Sequence, residues 1–127
     1  MRQEPKTVHA LFARLRRSRR QRFPSEGRGL ICPRRHGVYL IFDPYGRVAH
    51  VGRTTRGRSG LLQRLRNHLA GQSSFVILFL KGRASALRKG YSYSWVIVTR
   101  PRMRALVEAY ATGVLCPRHI GTGKGAP

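Results

Sequence analysis

Between Gly37 and Gly52 two dense apolar runs flank Asp43-Pro44-Tyr45-Gly46, and this arrangement commits the middle of the chain to a β-hairpin. Asp43 suits the first position of a type I turn, Pro44 arrives at the second with φ already set, and Gly46 takes the fourth. The run from Gly37 to Phe42 is rich in Val, Tyr, Leu, Ile and Phe, as a buried strand is, and Val48 to Gly52 follows at hairpin distance. Tyr91 to Thr99, with alternating Tyr, Trp and Val, predicts a third strand. Phe75 to Leu80 is apolar throughout and too short for periodicity to separate strand from buried helix.

Helices fill the remainder. Ser59 is an N-cap candidate for a helix reaching about Leu69, with Leu61, Leu62, Leu65 and Leu69 as its core stripe and Arg64 and His68 four apart on a neighbouring face. Pro101 opens the last helix, whose stripe is Met103, Leu106, Val107, Tyr110 and Val114, and Pro117 ends it. Glu108 stands about 100 degrees round from Val107, at the edge of that buried stripe. The fold class expected is α+β: a small three-stranded sheet, mixed or antiparallel, flanked by helices.

Residues 1–35 read as a basic N-terminal arm and linker. Val8, Leu11, Phe12 and Leu15 give the arm an amphipathic helical face, and Pro24, Gly27, Gly29 and Pro33 break the pattern after it. The folded domain is expected over 36–120, with 121–127 as a flexible tail. Gly121-Thr122-Gly123-Lys124-Gly125 looks like part of a phosphate loop, but only two residues follow where a P-loop must feed a helix.

Charge indicates the partner. Twenty-six Lys and Arg face four Asp and Glu, a formal net charge of +22 on 127 residues. Such a surface repels itself unless it meets a polyanion, so nucleic acid is the expected partner, DNA in preference to RNA. No apolar run approaches the roughly 18 residues of a membrane span. Cys32 and Cys116 lie far apart, each before a proline, without redox or zinc spacing, and a reducing cytoplasmic setting is the default; an Arg-rich transit peptide is the alternative reading of the arm.

Of the four acids, Glu4 and Glu26 lie in the arm and linker and Asp43 makes a turn, so Glu108 alone is placed for chemistry. Two-metal hydrolysis needs several converging carboxylates; one-metal hydrolysis does not. The bland alternative pairs Glu108 with Arg104 one turn back.

Gly37-Val38-Tyr39, then His50-Val51-Gly52, then Arg64 and His68 on one helix and Glu108 on the last, together resemble the GIY-YIG nuclease superfamily over Gly37 to Ile120. The resemblance implies phosphodiester hydrolysis by a metal-dependent endonuclease using one Mg²⁺ or Mn²⁺. It implies Tyr39 as general base, Arg64 as phosphate clamp, Glu108 as metal ligand and His68 as hydrogen-bonding or proton-transfer partner, with His50 also catalytic. Arg53, Arg56, Arg58 and Arg66 would hold the nucleic-acid backbone. Two positions depart from the pattern: His50 replaces the usual tyrosine, and Pro117-Arg118-His119-Ile120 lacks the asparagine that often follows the last helix. Two other functions fit the same residues. One is a non-catalytic nucleic-acid-binding module that retains the fold, and the other a metal-independent ribonuclease using His50 and His68 as acid and base.

Overall fold

The computed structural model describes residues 3–121. Along the chain it forms α1 (Gln3–Arg17), β1 (Gln21–Arg22), β2 (Gly37–Phe42), β3 (Val48–Arg53), α2 (Gly60–Leu69), β4 (Ser92–Ile97) and α3 (Pro101–Leu115). A π-helical turn, Phe75–Phe79, and a 3₁₀ turn, Ala84–Arg88, connect α2 to β4. The sheet order is β1-β4-β2-β3 with every pair antiparallel.

The expected hairpin is β2–β3. Asp43 Oδ1 accepts from the backbone N–H of Tyr45 and Arg47 at 2.9 and 3.0 Å, and Gly46 N–H closes the turn onto the Asp43 carbonyl at 2.9 Å. Gly46 has φ +85°, a conformation that glycine adopts without the usual Cβ penalty. Burial by itself would raise the Asp43 carboxyl, but these N–H bonds and the Arg47 guanidinium outweigh it and hold the group below its ordinary range.

The sheet has four strands where three were expected. The extra one, β1, is only two residues long and pairs Gln21 with Tyr93 and Arg22 with Ser92. Two residues carry no alternation to read, so the sequence is silent about it. The supposed arm is also corrected. Val8, Phe12 and Leu15 are buried, Phe12 sets its edge against Tyr110 at 5.1 Å, and α1 lies on α3 and β4 as part of the packed body. The amphipathic face was legible; its partner, the apolar stripe of α3, was not. Of the expected 121–127 tail, all but Gly121 lies outside the described residues.

The two sheet faces hold different cores. On one, Val38, Leu40, Phe42, Val51 and Val96 meet the apolar sides of α1 and α3. On the other, Tyr39, Ile41 and Tyr93 meet Leu61 and Leu65 of α2 and Phe75 of the π turn. The β2–β3 register shifts between Ile41 and Phe42: Ile41 faces His50 and Phe42 faces Val48, leaving Ala49 as an extra, bulged residue. Before the bulge β3 has one phase and after it the other, and His50 falls on the Tyr39 face.

Arg104 is 3% exposed and donates to the carbonyls of Thr54, Val98 and Thr99, tying α3 to the ends of β3 and β4. It is therefore not the partner of Glu108.

Candidate active site

Strand β3 is one edge of the sheet, and α2 and α3 approach it from opposite faces. An open cleft of ≈ 790 Å³ lies there, with His50, Gly52, Arg53, Arg64, Glu108 and His119 on its walls. Four of the residues selected by sequence, His50, Arg53, Arg64 and Glu108, thus share one cavity although they come from β3, α2 and α3. Tyr39 and His68, both 0% exposed, lie behind the wall. Arg56, Arg58 and Arg66 are exposed and outside it.

Gly52 explains how Tyr39 sits so close to the cleft floor. The two residues face each other across the β2–β3 ladder, and a Cβ on Gly52 would collide with the phenol ring and its oxygen. Glycine is required here by close approach. The Tyr39 hydroxyl is hydrogen-bonded to His68 Nε2 at 2.7 Å, and Arg64 Nη2 points at the same oxygen from 3.5 Å. His68 continues through Nδ1 to Ser73 Oγ at 2.7 Å. Burial raises the Tyr39 phenol above its ordinary value, Arg64 works against this, and the Glu108 charge adds to it. A buried neutral phenol is a base only if its own proton has somewhere to go, and His68 is the acceptor in contact.

The imidazoles of the cleft are neutral. Burial, then the cost of a positive charge beside the His119 imidazole and the Arg64 guanidinium, brings His50 down to about 3. Burial, followed by the same neighbours and His50, brings His68 well below its ordinary range, and burial lowers His119. His50 stacks on Phe75 at 5.0 Å and lies 5.7 Å from His119, ring centre to ring centre. Both ring nitrogens of His50, and Nε2 of His119, have no hydrogen-bond partner among the described residues. Buried polar atoms without partners are uncommon in native folds, and two adjoining side chains of this kind mark the cleft as built for something other than stability.

Glu108 Oε1 lies 3.3 Å from Arg53 Nε. Burial raises the Glu108 carboxyl, with Arg53 and Arg64 opposing. Among the described residues no group of three or more His, Cys, Asp or Glu gathers as a metal cage. One carboxylate opening into a wide cleft nevertheless suits Mg²⁺, which keeps several waters and binds through one or two carboxylates plus substrate phosphate. It does not suit zinc, which takes three or four protein ligands.

Sequence reasoning missed three contributors. Arg53 was expected to hold the substrate backbone, and its ion pair with Glu108 was not foreseen. His119 had been singled out only as standing where an asparagine was expected; its N–H donates to the Ala49 carbonyl at 2.9 Å, which hangs the C-terminal segment on the bulge and brings the ring to His50. Pro117 just after the helix was the available signal. Ser73 has no sequence signal, because its role depends on how α2 ends.

No family model matches the chain, and no curated protein matches it. Among solved structures it is similar to the crystal structure of the GIY-YIG N-terminal endonuclease domain of UvrC from Thermotoga maritima, bound to its catalytic divalent cation, magnesium. The TM-score is 0.53 at 19% identity, over 72% of this chain and 90% of that one. The chain has a GIY-YIG-like α+β fold.

Proposed function

We propose that this protein is a metal-dependent endonuclease that hydrolyses nucleic-acid phosphodiester bonds with one divalent ion, Mg²⁺ or Mn²⁺. The observation that carries the reading is the meeting of one carboxylate, Glu108, and one guanidinium fork, Arg64, in a cleft backed by the Tyr39–His68 pair. The fold, shared with an endonuclease domain, supports it.

Glu108 would hold the ion, which when bound supplies Lewis-acid stabilisation of charge on the phosphate and leaving oxygen. The chain's own residues account for the remainder. Arg64, with its planar donors, clamps a phosphate oxygen and neutralises charge growing there. Because Arg64 both lines the cleft and reaches the Tyr39 oxygen, its swing toward a phosphate uncovers the phenol. A water oxygen bonds to phosphorus while the bond to the leaving oxygen breaks. The water's proton passes to Tyr39 as Tyr39 gives its own to His68 Nε2. His50 and His119 present unpartnered nitrogens to whatever occupies the cleft. Arg56, Arg58 and Arg66 hold the substrate backbone through sequence-blind contacts.

A metal-independent acid and base pair of His50 and His68 does not fit, because His68 is 0% exposed and both its ring nitrogens are bonded, to Tyr39 and Ser73, out of reach of a substrate. The Arg53–Glu108 ion pair favours the second reading, a binding module without turnover, since Glu108 is already neutralised. Cleavage of single-stranded DNA, duplex DNA and RNA in Mg²⁺, Mn²⁺ and EDTA separates the two. Metal-dependent internal cleavage supports the enzyme. Salt-dependent binding with a log-log slope of roughly 0.9 per phosphate, and no product on any substrate, supports the module.

A further inference from the structure

Helix α2 ends in a way that returns the chain to its own last turn. Gly71, at φ +78°, donates to the His68 carbonyl at 3.0 Å, and Gln72 donates to the Asn67 carbonyl at 3.0 Å, the paired bonds of a Schellman cap. The reversal carries Ser73 alongside the ring of His68, five residues earlier. Ser73 Oγ is fixed in turn by the Val76 N–H at 3.2 Å, at the start of the π turn. The result is a buried line from Tyr39 Oη through both nitrogens of His68 to Ser73 Oγ, with each link 2.7 Å long.

That line has two links and three hydrogens: the Tyr39 O–H, one imidazole N–H and the Ser73 O–H. One hydroxyl must keep an unspent hydrogen, and which one it is sets the tautomer of His68. If Nε2 carried the proton, the Tyr39 oxygen would face two donors, His68 and Arg64, and its own hydrogen would be stranded in a side chain that is 0% exposed. If Nδ1 carries it, the Tyr39 hydrogen points away from the Arg64 guanidinium into His68, and the spare hydrogen falls on Ser73, which is 6% exposed. In either arrangement one oxygen meets two donors, Tyr39 from His68 and Arg64 or Ser73 from His68 and the Val76 N–H, and what favours the second is that the spare hydrogen sits on the less deeply buried residue.

We propose that Ser73 is a positioning residue that accepts the His68 Nδ1–H, holds that imidazole in the Nδ1–H tautomer and so keeps Nε2 open to receive the Tyr39 proton. In the cleavage step the proton leaving water ends on His68, which then donates from both nitrogens, to Tyr39 and to Ser73, with no further carrier required. The catalytic consequence rests on the endonuclease reading above; the tautomer does not.

The test is long-range ¹⁵N–¹H NMR of the histidine rings in the full chain without substrate, at neutral pH. For wild type the expected result is a pyrrole-type Nδ1 and a pyridine-type Nε2 at His68; the reverse overturns the proposal. Tyr39→Phe should leave that pattern in place, because Ser73 sets it, and a switch to Nε2–H there overturns it. Ser73→Ala should move His68 toward the Nε2–H form, and Ser73→Thr, which keeps the hydroxyl, should restore Nδ1–H. If Ser73→Ala does not fold, the wild-type, Tyr39→Phe and Ser73→Thr spectra still decide. Where cleavage is measurable, Ser73→Ala should lower the single-turnover rate by roughly 10- to 100-fold, as losses of outer hydrogen-bond partners do, with substrate affinity unchanged and Ser73→Thr near wild type. The expected tautomers without any cleavage would sink the endonuclease reading and leave the Ser73 assignment standing.

Discussion

The two faces of the sheet are built to different rules. Against α1 and α3 the interior is mostly Val, Leu, Phe and Ala, with two buried polar side chains, Ser94 and the carbonyl-bonded Arg104, and no imidazole. Toward α2 and the π turn the interior admits Tyr39, His50, His68 and Ser73, holds three imidazoles neutral, and leaves His50 without a hydrogen-bond partner. Burying such groups costs free energy that an apolar residue of similar size would not. The contrast teaches that the first face sets stability and that the second accepts a loss of stability, which the proposed chemistry of the cleft would account for. Both reach the cleft at the edge of β3, the first through Val51 and Glu108 of α3 and the second through His50 and Arg64.

Substitutions can break this division. Leu40→Ala, on the apolar face at 2% exposure, should cost about 2 to 5 kcal/mol in denaturant unfolding while leaving the cleavage rate per folded molecule unchanged. A rate loss at a temperature where the variant is folded would contradict it. Arg64→Ala should do the opposite, lowering the single-turnover rate by about 10² to 10³-fold with little change in melting temperature. An equal loss of stability would make Arg64 a structural residue.

His50→Phe sharpens the comparison through pH. The folded-state value of His50, about 3, lies below its unfolded value, so between roughly pH 6.5 and 3 the unfolded chain binds the extra proton. Stability is therefore full above about pH 6.5 and falls with acid. Removing the imidazole should flatten the decline in melting temperature from pH 7 to 5, and an unchanged slope would show that His50 is not held neutral. The smallest effect belongs to neither face: Glu4→Gln, which breaks an exposed pair with Arg102, should leave melting temperature and rate unchanged.

How far the sequence could be read follows the same line. The dense apolar run from Gly37 to Phe42 and the turn at Asp43 are local signals, and both match the β2–β3 hairpin. The amphipathic face of α1 came through as well, but a stripe of Val8, Phe12 and Leu15 does not say what it packs against, and it was taken for an arm. Strand β1 is too short for any pattern. Tyr39, His50, Arg64, His68 and Glu108 could be selected because residue type and order carry information, and the structure sets them in and just behind one cleft. Pairings could not be selected. Arg104 stands one turn before Glu108, yet three backbone carbonyls at strand ends claim it, and Arg53 reaches Glu108 across from β3. Ser73 and the bulge at Ala49 depend on where the chain reverses, which no single-residue preference reports.

The central claim of the proposal is that Glu108, the one side-chain carboxylate lining the cleft among the described residues, makes this basic fold a metal-dependent enzyme. The most direct measurement is single-turnover cleavage in Mn²⁺ by wild type and Glu108→Gln, with binding followed in the same samples and EDTA added at mid-course. The account predicts cleavage by wild type that stops on EDTA, and a Glu108→Gln protein that binds as tightly and cuts at background. Equal cleavage by both proteins, or cleavage that continues through EDTA, would contradict it.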